Sequence, residues 1–368
     1  MMKSKIGYLC GSNSWGGLEM NQLKNAIWMK QRGYSVILFC WNNSPIHQNA
    51  LLNKIDICLI EQHKKYYQFA KAIKLKSLIQ SNEITHLIIR SNHDLSIGAT
   101  VKWLVGKKLH ISVFMEMQFG IRKTSIFHTI RYNFYDIWSC PLNWLKEQVE
   151  FNSKIKKSKI CIIPSGIELE KYNLHQSKSE LRNELDLPLE ETIIGIFGRI
   201  DINKGHHIVI EAIEKCKQKN FKLLIIGAPT INESDNYLLS IKKSIEKENL
   251  TDRILFRPFT NEIEKYYQTI DVLINATKSE TVGMTTIESL ASGRPVIGSN
   301  SGGTKELIAN ESFGFLFESQ NSDDLSSKIE QYFANENNFN SNNIKKGISQ
   351  FDHQKVCQQI EQRLQLKK

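Results

Sequence analysis

Residues 192–217 read TIIGIFGRIDINKGHHIVIEAIEKCK. The apolar run 192–198 has the length of a strand, and a polar loop follows it. From residue 205 to 217 apolar residues recur three and four apart, which is the period of a helix. A strand that passes through a short loop into a helix is the first part of a βαβ unit. Its unbroken apolar character means that both faces of the sheet are covered.

The same alternation extends in both directions. Downstream, the pattern predicts strands at 221–227, 254–259, 272–276, 295–298 and 314–317. Helices are expected over 205–217, 235–248, 285–292, 304–309 and 323–334. An exposed Asn-rich loop is expected at 335–343, then a last helix near 354–366. Upstream, strands are expected at 5–10, 34–41, 55–61, 84–91 and 111–117, and helices at 17–31, 65–80 and 96–105. Between the two sets, Ile163-Pro164-Ser165-Gly166 places Pro and Gly close together, as at a hinge. The expectation is an α/β chain of two Rossmann-like, doubly wound domains that face a central cleft. Their bounds are 1–165 and 166–345, with a helix at 346–368 that packs back toward the first domain. Open parallel sheets take ligands beyond the carboxyl ends of their strands.

Composition narrows the function classes. The chain has 368 residues, 41% hydrophobic and 23% charged, which suits two globular domains and excludes wholesale disorder. No apolar run approaches the roughly 18 residues of a membrane span. The seven cysteines form no C-x-x-C pair, which argues for reduced thiols and a cytoplasmic address. Charge is unevenly divided. Residues 1–165 hold 23 Lys and Arg against 9 Asp and Glu, while residues 166–368 hold 25 against 29. A basic half fits a solvated surface, or equally a face for nucleic acid, an anionic membrane or an anionic substrate.

Two stretches carry chemistry. The first, 279–295, reads SETVGMTTIESLASGRP and spaces Glu280 and Glu288 seven residues apart across a turn into a helix. Val282, Gly283, Met284 and Thr285 lie where that helix begins. A helix N-terminus offers unpaired N–H groups and partial positive charge to a diphosphate, and Gly283 lets the backbone come close. Glu288, one turn inside, is placed for paired ribose hydroxyls, and Glu280 for a sugar hydroxyl or developing positive charge. The second stretch, GRIDINKG at 198–205, puts Arg199 and Lys204 beside the same end of the sheet, where two cations suit a departing diphosphate. It is neither a dinucleotide G-x-G-x-x-G nor a Walker A loop, which counts against a nicotinamide-dependent oxidoreductase.

Together these residues resemble glycosyltransferase family 4, retaining enzymes of GT-B architecture. The resemblance takes in GRIDINKG, the E-x₇-E segment, GGTKEL at 302–307 and IPSGIE at 163–168, where family members usually read I-P-N-G-I-D. Gly16-Gly17-Leu18-Glu19 is similar to the family's glycine loop. The resemblance implies a nucleotide-diphosphate sugar as co-substrate and no metal. It gives donor contacts to Gly17, Arg199, Lys204, Glu280, Glu288 and the backbone of Val282, Gly283, Met284 and Thr285, with Arg257 and Phe259 near the base. Many relatives place a histidine after the strand at 111–117, where this chain has Glu116 and Gln118. Glu116 is then a catalytic candidate beside Glu280, Arg199 and Lys204, or simply a solvated acid at a strand end. Acceptor contacts would fall to Gly16, Glu19, Arg90, His93, Asp94 and Gln118. The segment 116–144 looks like that of bacterial cell-surface polysaccharide glycosyltransferases, which implies a saccharide or lipid-linked saccharide acceptor; the charge of the basic half, with the helix at 65–80 as a candidate face, adds the expectation of peripheral contact with the inner membrane face. Two other classes stay open: a nucleotide-sugar 2-epimerase of the same fold, and a non-enzymatic nucleic-acid-binding protein, for which no binding motif is visible.

Overall fold

Residues 3–66, 68–229 and 236–368 are described by the computed structural model. Among them, thirteen strands form two wholly parallel sheets. The expected helix start at residue 235 and Tyr67 lie outside the described residues.

In the first unit the chain runs β1 (Lys5–Cys10), α1 (Gly17–Gln31), β2 (Ser35–Trp41), α2 (Pro45–Leu52), β3 (Asp56–Ile60), α3 (Phe69–Ser81), β4 (His86–Ile89), α4 (Leu95–Val105), β5 (His110–Phe114), α5 (Ile126–Asn133), β6 (Ile137–Cys140), α6 (Asn143–Asn152) and β7 (Ile160–Ile162). The second unit holds α7 (Lys178–Glu184), β8 (Thr192–Phe197), α8 (His206–Lys215), β9 (Phe221–Ile226), α9 (Asn236–Lys247), β10 (Ile254–Arg257), α10 (Ile263–Thr269), β11 (Val272–Asn275), α11 (Met284–Ala291), β12 (Val296–Ser299), α12 (Gly302–Leu307), β13 (Gly314–Phe317), α13 (Ser322–Asn335) and α14 (Ser341–Gly347). A last helix, α15 (His353–Leu364), belongs to the first unit again. The units are residues 1–166 with 353–368, and residues 167–352. The return thus comes at His353 rather than at 346, because α14 stays with the second unit. It also sharpens the charge division: the first unit carries 27 Lys and Arg against 10 Asp and Glu, and the second 21 against 28.

Both sheets share one wiring. The orders are β3-β2-β1-β4-β5-β6-β7 and β10-β9-β8-β11-β12-β13. Each winds one way from its first strand and then the other, so the order reverses between β1 and β4, and between β8 and β11. These are the switch points at which doubly wound sheets open a crevice beyond their strand ends. The registers Leu9↔Ile89 and Leu273↔Gly195 fix the adjacent strands there.

The first sheet is buried on both faces. Leu9, Phe39, Leu87, Ile111 and Val113 pack on one side with α3 and α4, while Tyr8, Leu38 and Ile88 pack on the other with α1 and α15. One core serves the second unit around Ile194, Leu223, Ile274 and Ile297. The seven cysteines are free. No helix among the described residues is long and apolar enough to cross a membrane.

Several expected elements are shorter. The strand expected at 84–91 pairs only over His86–Ile89, and that at 111–117 ends at Phe114. The helix expected from 65 begins at Phe69. The Asn-rich stretch is not an open loop. The Asn340 side chain accepts from the Asn343 amide at 3.1 Å and caps α14. Phe339 packs on Phe315 and Tyr332, which anchors the turn before it.

Candidate functional site

At the reversal of the second sheet, β8 ends at Phe197 and the loop 198–205 begins. The Asp201 side chain accepts from the Asn203 amide at 2.9 Å, which starts a single 3₁₀ turn over Ile202–Lys204. Gly205 then takes φ +72°, and a Cβ there would lie 2.4 Å from the Ala276 carbonyl oxygen. Only glycine lets this loop settle on the end of β11. The Lys278 amide donates to the Asn203 carbonyl at 2.8 Å and ties the two loops together.

That seating brings the Lys204 ammonium 3.0 Å from the Glu280 carboxylate and 3.5 Å from the Thr277 hydroxyl. Burial pushes the Glu280 carboxyl up, but the Lys204 charge, its hydrogen bond and those from Thr277 and the Thr281 amide outweigh it. The net shift is below the usual carboxylate range, so Glu280 is an anion at neutral pH. Its main chain is fixed by α12: the Gly303 amide donates to the Glu280 carbonyl at 2.8 Å, and a Cβ on Gly302 would meet that oxygen at 2.1 Å. Gly302 therefore has a packing reason. Gly283, at φ +82°, leads into α11 and presses against Leu307. Val282 is buried, and Met284 and Thr285 are half-buried beside it.

Glu288, inside α11, is no solvated surface residue. It accepts from the buried Tyr267 phenol at 2.9 Å. Burial, then the Glu288 charge, raises Tyr267 far above its ordinary value, so this phenol remains a donor. Arg199 is 64% exposed, with Asp201 as its neighbour at 3.6 Å. Arg257 spends its guanidinium on the carbonyls of Phe256 and Asp186, and Phe259 beyond it is exposed. His206 is buried at the start of α8, and His207 meets the Tyr237 hydroxyl at 2.7 Å.

The reversal of the first sheet is built differently. Asp94 follows β4 and is fully buried. It accepts from the Gly11 amide at 3.0 Å, lies 2.9 Å from His63 Nε2 and is 3.5 Å from His93 Nδ1. Burial works against the Asp94 anion, but these hydrogen bonds prevail and hold its pKa down. Trp41 sets its edge against both imidazoles, 5.7 Å from each centroid. A Cβ at Gly11 would strike His63 at 2.5 Å. The sequence shows no histidine cluster, yet His63, His93 and Asp94 bring one ligand-type atom each within 4.8 Å of one another. His63 escaped notice because it comes from the end of β3, thirty positions away in the chain. Asp94, expected to touch an acceptor, is sealed, with the half-buried His93 in front of it.

Glu116 is also not a solvated strand-end acid. Its Oε1 meets the Arg90 guanidinium and the Ser165 hydroxyl, and its Oε2 accepts from Asn21 at 3.2 Å. Arg90 is buried as well and lies over the Phe114 ring at 5.1 Å. With both oxygens occupied, Glu116 holds structure in this arrangement. Ser165 stands where the resemblance leads one to expect Asn, so two departures from the family pattern touch each other. Glu19 is buried too: it accepts from the Ser12 hydroxyl at 2.8 Å and the Gly16 amide at 3.1 Å, closing the first turn of α1. A Cβ on Gly17 would meet open space, so nothing within the chain demands glycine there. Gln118 is half-buried beyond β5.

Residues 177–350 match the family model for glycosyl transferases group 1. The chain is 24% identical over 317 residues to alpha-monoglucosyldiacylglycerol synthase of Streptococcus pneumoniae, an alignment spanning 78% of this chain and 69% of that one. It is 27% identical over 230 residues to the capsular polysaccharide biosynthesis glycosyltransferase CapM of Staphylococcus aureus, spanning 59% of this chain and 58% of the relative. Among solved structures, the Anabaena protein HepE in complex with UDP superposes with a TM-score of 0.86 at 19% identity, over 98% of this chain and 99% of that one. The two parallel sheets are those of GT-B glycosyltransferase structures, the segment 177–350 is a glycosyl transferases group 1 domain, and the chain is an enzyme of the glycosyltransferase class.

Proposed function

We propose that this chain is a retaining, family 4 glycosyltransferase that needs no metal and moves a sugar from a nucleotide-diphosphate donor to a saccharide or lipid-linked saccharide in surface polysaccharide synthesis. Its place is the cytoplasmic face of the membrane. The observation that carries the reading is the Lys204–Glu280 pair at 3.0 Å, set at the strand-order reversal beside the N-terminus of α11. A cation, an anion and a run of free amides are what a sugar diphosphate calls for.

In this reading the second unit takes the donor. Lys204 and the exposed Arg199 face the diphosphate, joined by the amides from Val282 to Thr285. Glu288, oriented by Tyr267, accepts from the ribose hydroxyls, and the base lies along Arg257–Phe259. The acceptor oxygen bonds to the anomeric carbon as the bond to the diphosphate breaks and its electron pair departs with that group. The acceptor proton passes to the departing diphosphate. Lys204 and Arg199 stabilise charge that grows during departure, which is where such contacts accelerate a reaction most. Glu280 holds the transferred sugar. The first unit takes the acceptor through Gly16, Gly17, His93 and Gln118, with Arg90, Asp94, Glu19 and Glu116 as the frame behind them.

Isothermal calorimetry with UDP, GDP and ADP, with and without EDTA, tests the reading. One nucleotide diphosphate binds, EDTA leaves the affinity unchanged, and Glu288→Ala abolishes it. Absence of binding by all three to the folded protein refutes the donor site. Incubation with the matching sugar nucleotide alone separates transfer from 2-epimerisation, because only the latter yields a new sugar without an acceptor.

A further inference from the structure

Three loops of the first unit meet at one point. Gly11 follows β1, His63 follows β3, and His93 and Asp94 follow β4. The side chains of His63 and Asp94 are fully buried, and that of His93 keeps 33% of its surface. Each oxygen of the Asp94 carboxylate has its own neighbours. Oδ2 accepts from the Gly11 amide, while Oδ1 faces His63 Nε2 at 2.9 Å and His93 Nδ1 at 3.5 Å. The two imidazoles lie 5.0 Å apart, 38° from parallel, with one nitrogen of each toward the same oxygen. A Cβ at Gly11 would lie 2.6 Å from Asp94 Oδ1 and 3.0 Å from His63 Nε2. Glycine thus keeps open the space beside these two atoms.

Hydrogen bonds alone leave this arrangement incomplete. His63 Nε2 serves Oδ1, but His93 Nδ1 is buried and has no aligned hydrogen-bond partner among the described residues. A buried ring nitrogen left in that state costs free energy, and a bound ion is one of the few things that relieve it. A metal held by Nε2, Nδ1 and Oδ1 together does so, and the spacing suits one. Bonds of about 2.0–2.1 Å at tetrahedral angles set ligand atoms about 3.3 Å apart. The measured separations of 2.9 and 3.5 Å straddle that length, and the third pair lies within 4.8 Å. A small turn of the partly exposed His93 ring closes the third side. The surroundings suit an ion as well. The Gly11 amide fixes the free oxygen of the carboxylate, as outer partners fix ligating carboxylates in metal sites, and the buried Trp41 ring stands across both imidazoles.

We propose that His63 Nε2, His93 Nδ1 and Asp94 Oδ1 bind one zinc ion, which ties together the loops that follow β1, β3 and β4. Two imidazoles and one carboxylate are a donor set for zinc, whereas calcium and magnesium call for oxygen ligands in greater number. Binding takes both imidazoles in the neutral form with the proton on the far nitrogen, Nδ1 of His63 and Nε2 of His93. Three protein ligands leave a fourth position, which the exposed side of His93 opens to a solvent oxygen. The site is distinct from the donor motifs, which lie in the second unit. It does not depend on the sugar-transfer reading, because ion binding is measured with neither donor nor acceptor present.

The test is isothermal calorimetry of the full chain, stripped of metal with EDTA and dialysed, against zinc chloride and magnesium chloride at neutral pH. Expected are one zinc ion per chain, no heat from magnesium, and a melting temperature that rises with zinc, since an ion that binds only the folded chain stabilises it. His93→Asn is the informative variant, because its side chain is partly exposed and its loss leaves the buried pair in place. It weakens zinc binding about 100-fold or more, beyond the roughly 10–100-fold cost of losing an outer partner, and leaves the metal-free melting temperature unchanged. His175→Asn, at an exposed histidine of the second unit, changes neither quantity. X-ray absorption of the zinc-loaded chain shows nitrogen and oxygen neighbours at about 2.0–2.1 Å. No zinc uptake by the folded chain overturns the proposal. So does uptake that His93→Asn leaves intact, or a sulfur neighbour in the absorption spectrum, since the ion then sits on other histidines or on the cysteines.

Discussion

Replacing Lys204 with alanine tests the centre of the donor site through stability as well as through catalysis. At 3.0 Å, two unit charges attract by about 5 kcal/mol at an effective dielectric of about 20. Both side chains keep some solvent, 22% for Lys204 and 16% for Glu280, so water screens part of this. Removing one member of a fully buried pair costs about 3–5 kcal/mol. For this partly open pair about 2 kcal/mol is expected at pH 7. The pH dependence gives the sharper check. With Lys204 present, Glu280 titrates below its ordinary value and contributes stability that is lost as pH falls through its folded pKa. Without Lys204 burial, the largest influence on Glu280, is opposed only by the Thr277 and Thr281 hydrogen bonds, so the folded pKa is expected to rise above the ordinary one. The folded variant then holds a proton that the unfolded chain has released, so its stability falls as pH rises through that raised value. The deficit of Lys204→Ala is accordingly largest at pH 7 and shrinks toward pH 4. Urea melts at both pH values, with E280Q and the double variant completing a cycle, measure it. A deficit that is constant with pH, or a coupling near zero, refutes the reasoning. Turnover should drop about 100-fold or more in the same variant, because the contact strengthens as the diphosphate leaves.

Gly205→Ala combines φ +72° with a 2.4 Å approach to the Ala276 carbonyl, and it should cost about 2–4 kcal/mol in a thermal melt and displace Lys204. Tyr267→Phe removes one of the two phenols that hold Glu288, the other being Tyr172, so calorimetry should show several-fold weaker nucleotide binding with little change in melting temperature. Glu116→Gln leaves Arg90 buried without its counter-charge. About 3 kcal/mol of stability should disappear at neutral pH, whereas a surface acid would cost under about 0.5. His206 is buried, and burial lowers its pKa from 6.5 to about 4. Between those values the unfolded chain takes the proton first, so stability is full above about pH 6.5 and declines toward pH 4, by up to about 3 kcal/mol, and His206→Gln flattens that slope.

How much of this was legible in the sequence varies with distance along the chain. Apolar runs such as Thr192–Phe197 declare themselves, because a strand buried on both faces needs an unbroken series of apolar residues. Their ends do not. Met115 is as apolar and as buried as Phe114, and its amide still donates to the Ser139 carbonyl at 2.8 Å, yet the paired register ends at Phe114 opposite Ser139, a fact held by another strand. The short helices α5 and α14 were missed for a related reason. Each depends on one cap, Ser125 or Asn340, and seven or eight residues carry too little periodicity to stand out.

The candidate site divides along the same line. Glu280, Lys204 and the glycines around them lie in two contiguous motifs, and each motif is readable because its backbone must bend in ways only glycine allows. Their pairing across 76 positions follows from β8 and β11 being neighbours, which the βαβ alternation already implies. In the first unit the key residues come from three strand ends, Gly11 after β1, His63 after β3 and the neighbours His93 and Asp94 after β4. The same wiring gathers them, for the reversal of strand order sets the ends of β1 and β4 side by side. What differs is the polarity of what arrives. In the second unit Arg199 stays 64% exposed, and the Lys204–Glu280 pair, 22% and 16% exposed, keeps an open side. In the first unit they turn inward onto one another, Arg90 against Glu116 and His63 against Asp94. A residue at a switch point is thus a candidate by position alone, but its chemistry is available to a ligand only where it keeps an open side. By that criterion His93, partly exposed in front of a sealed Asp94, is the side chain on which the proposed acceptor contact rests.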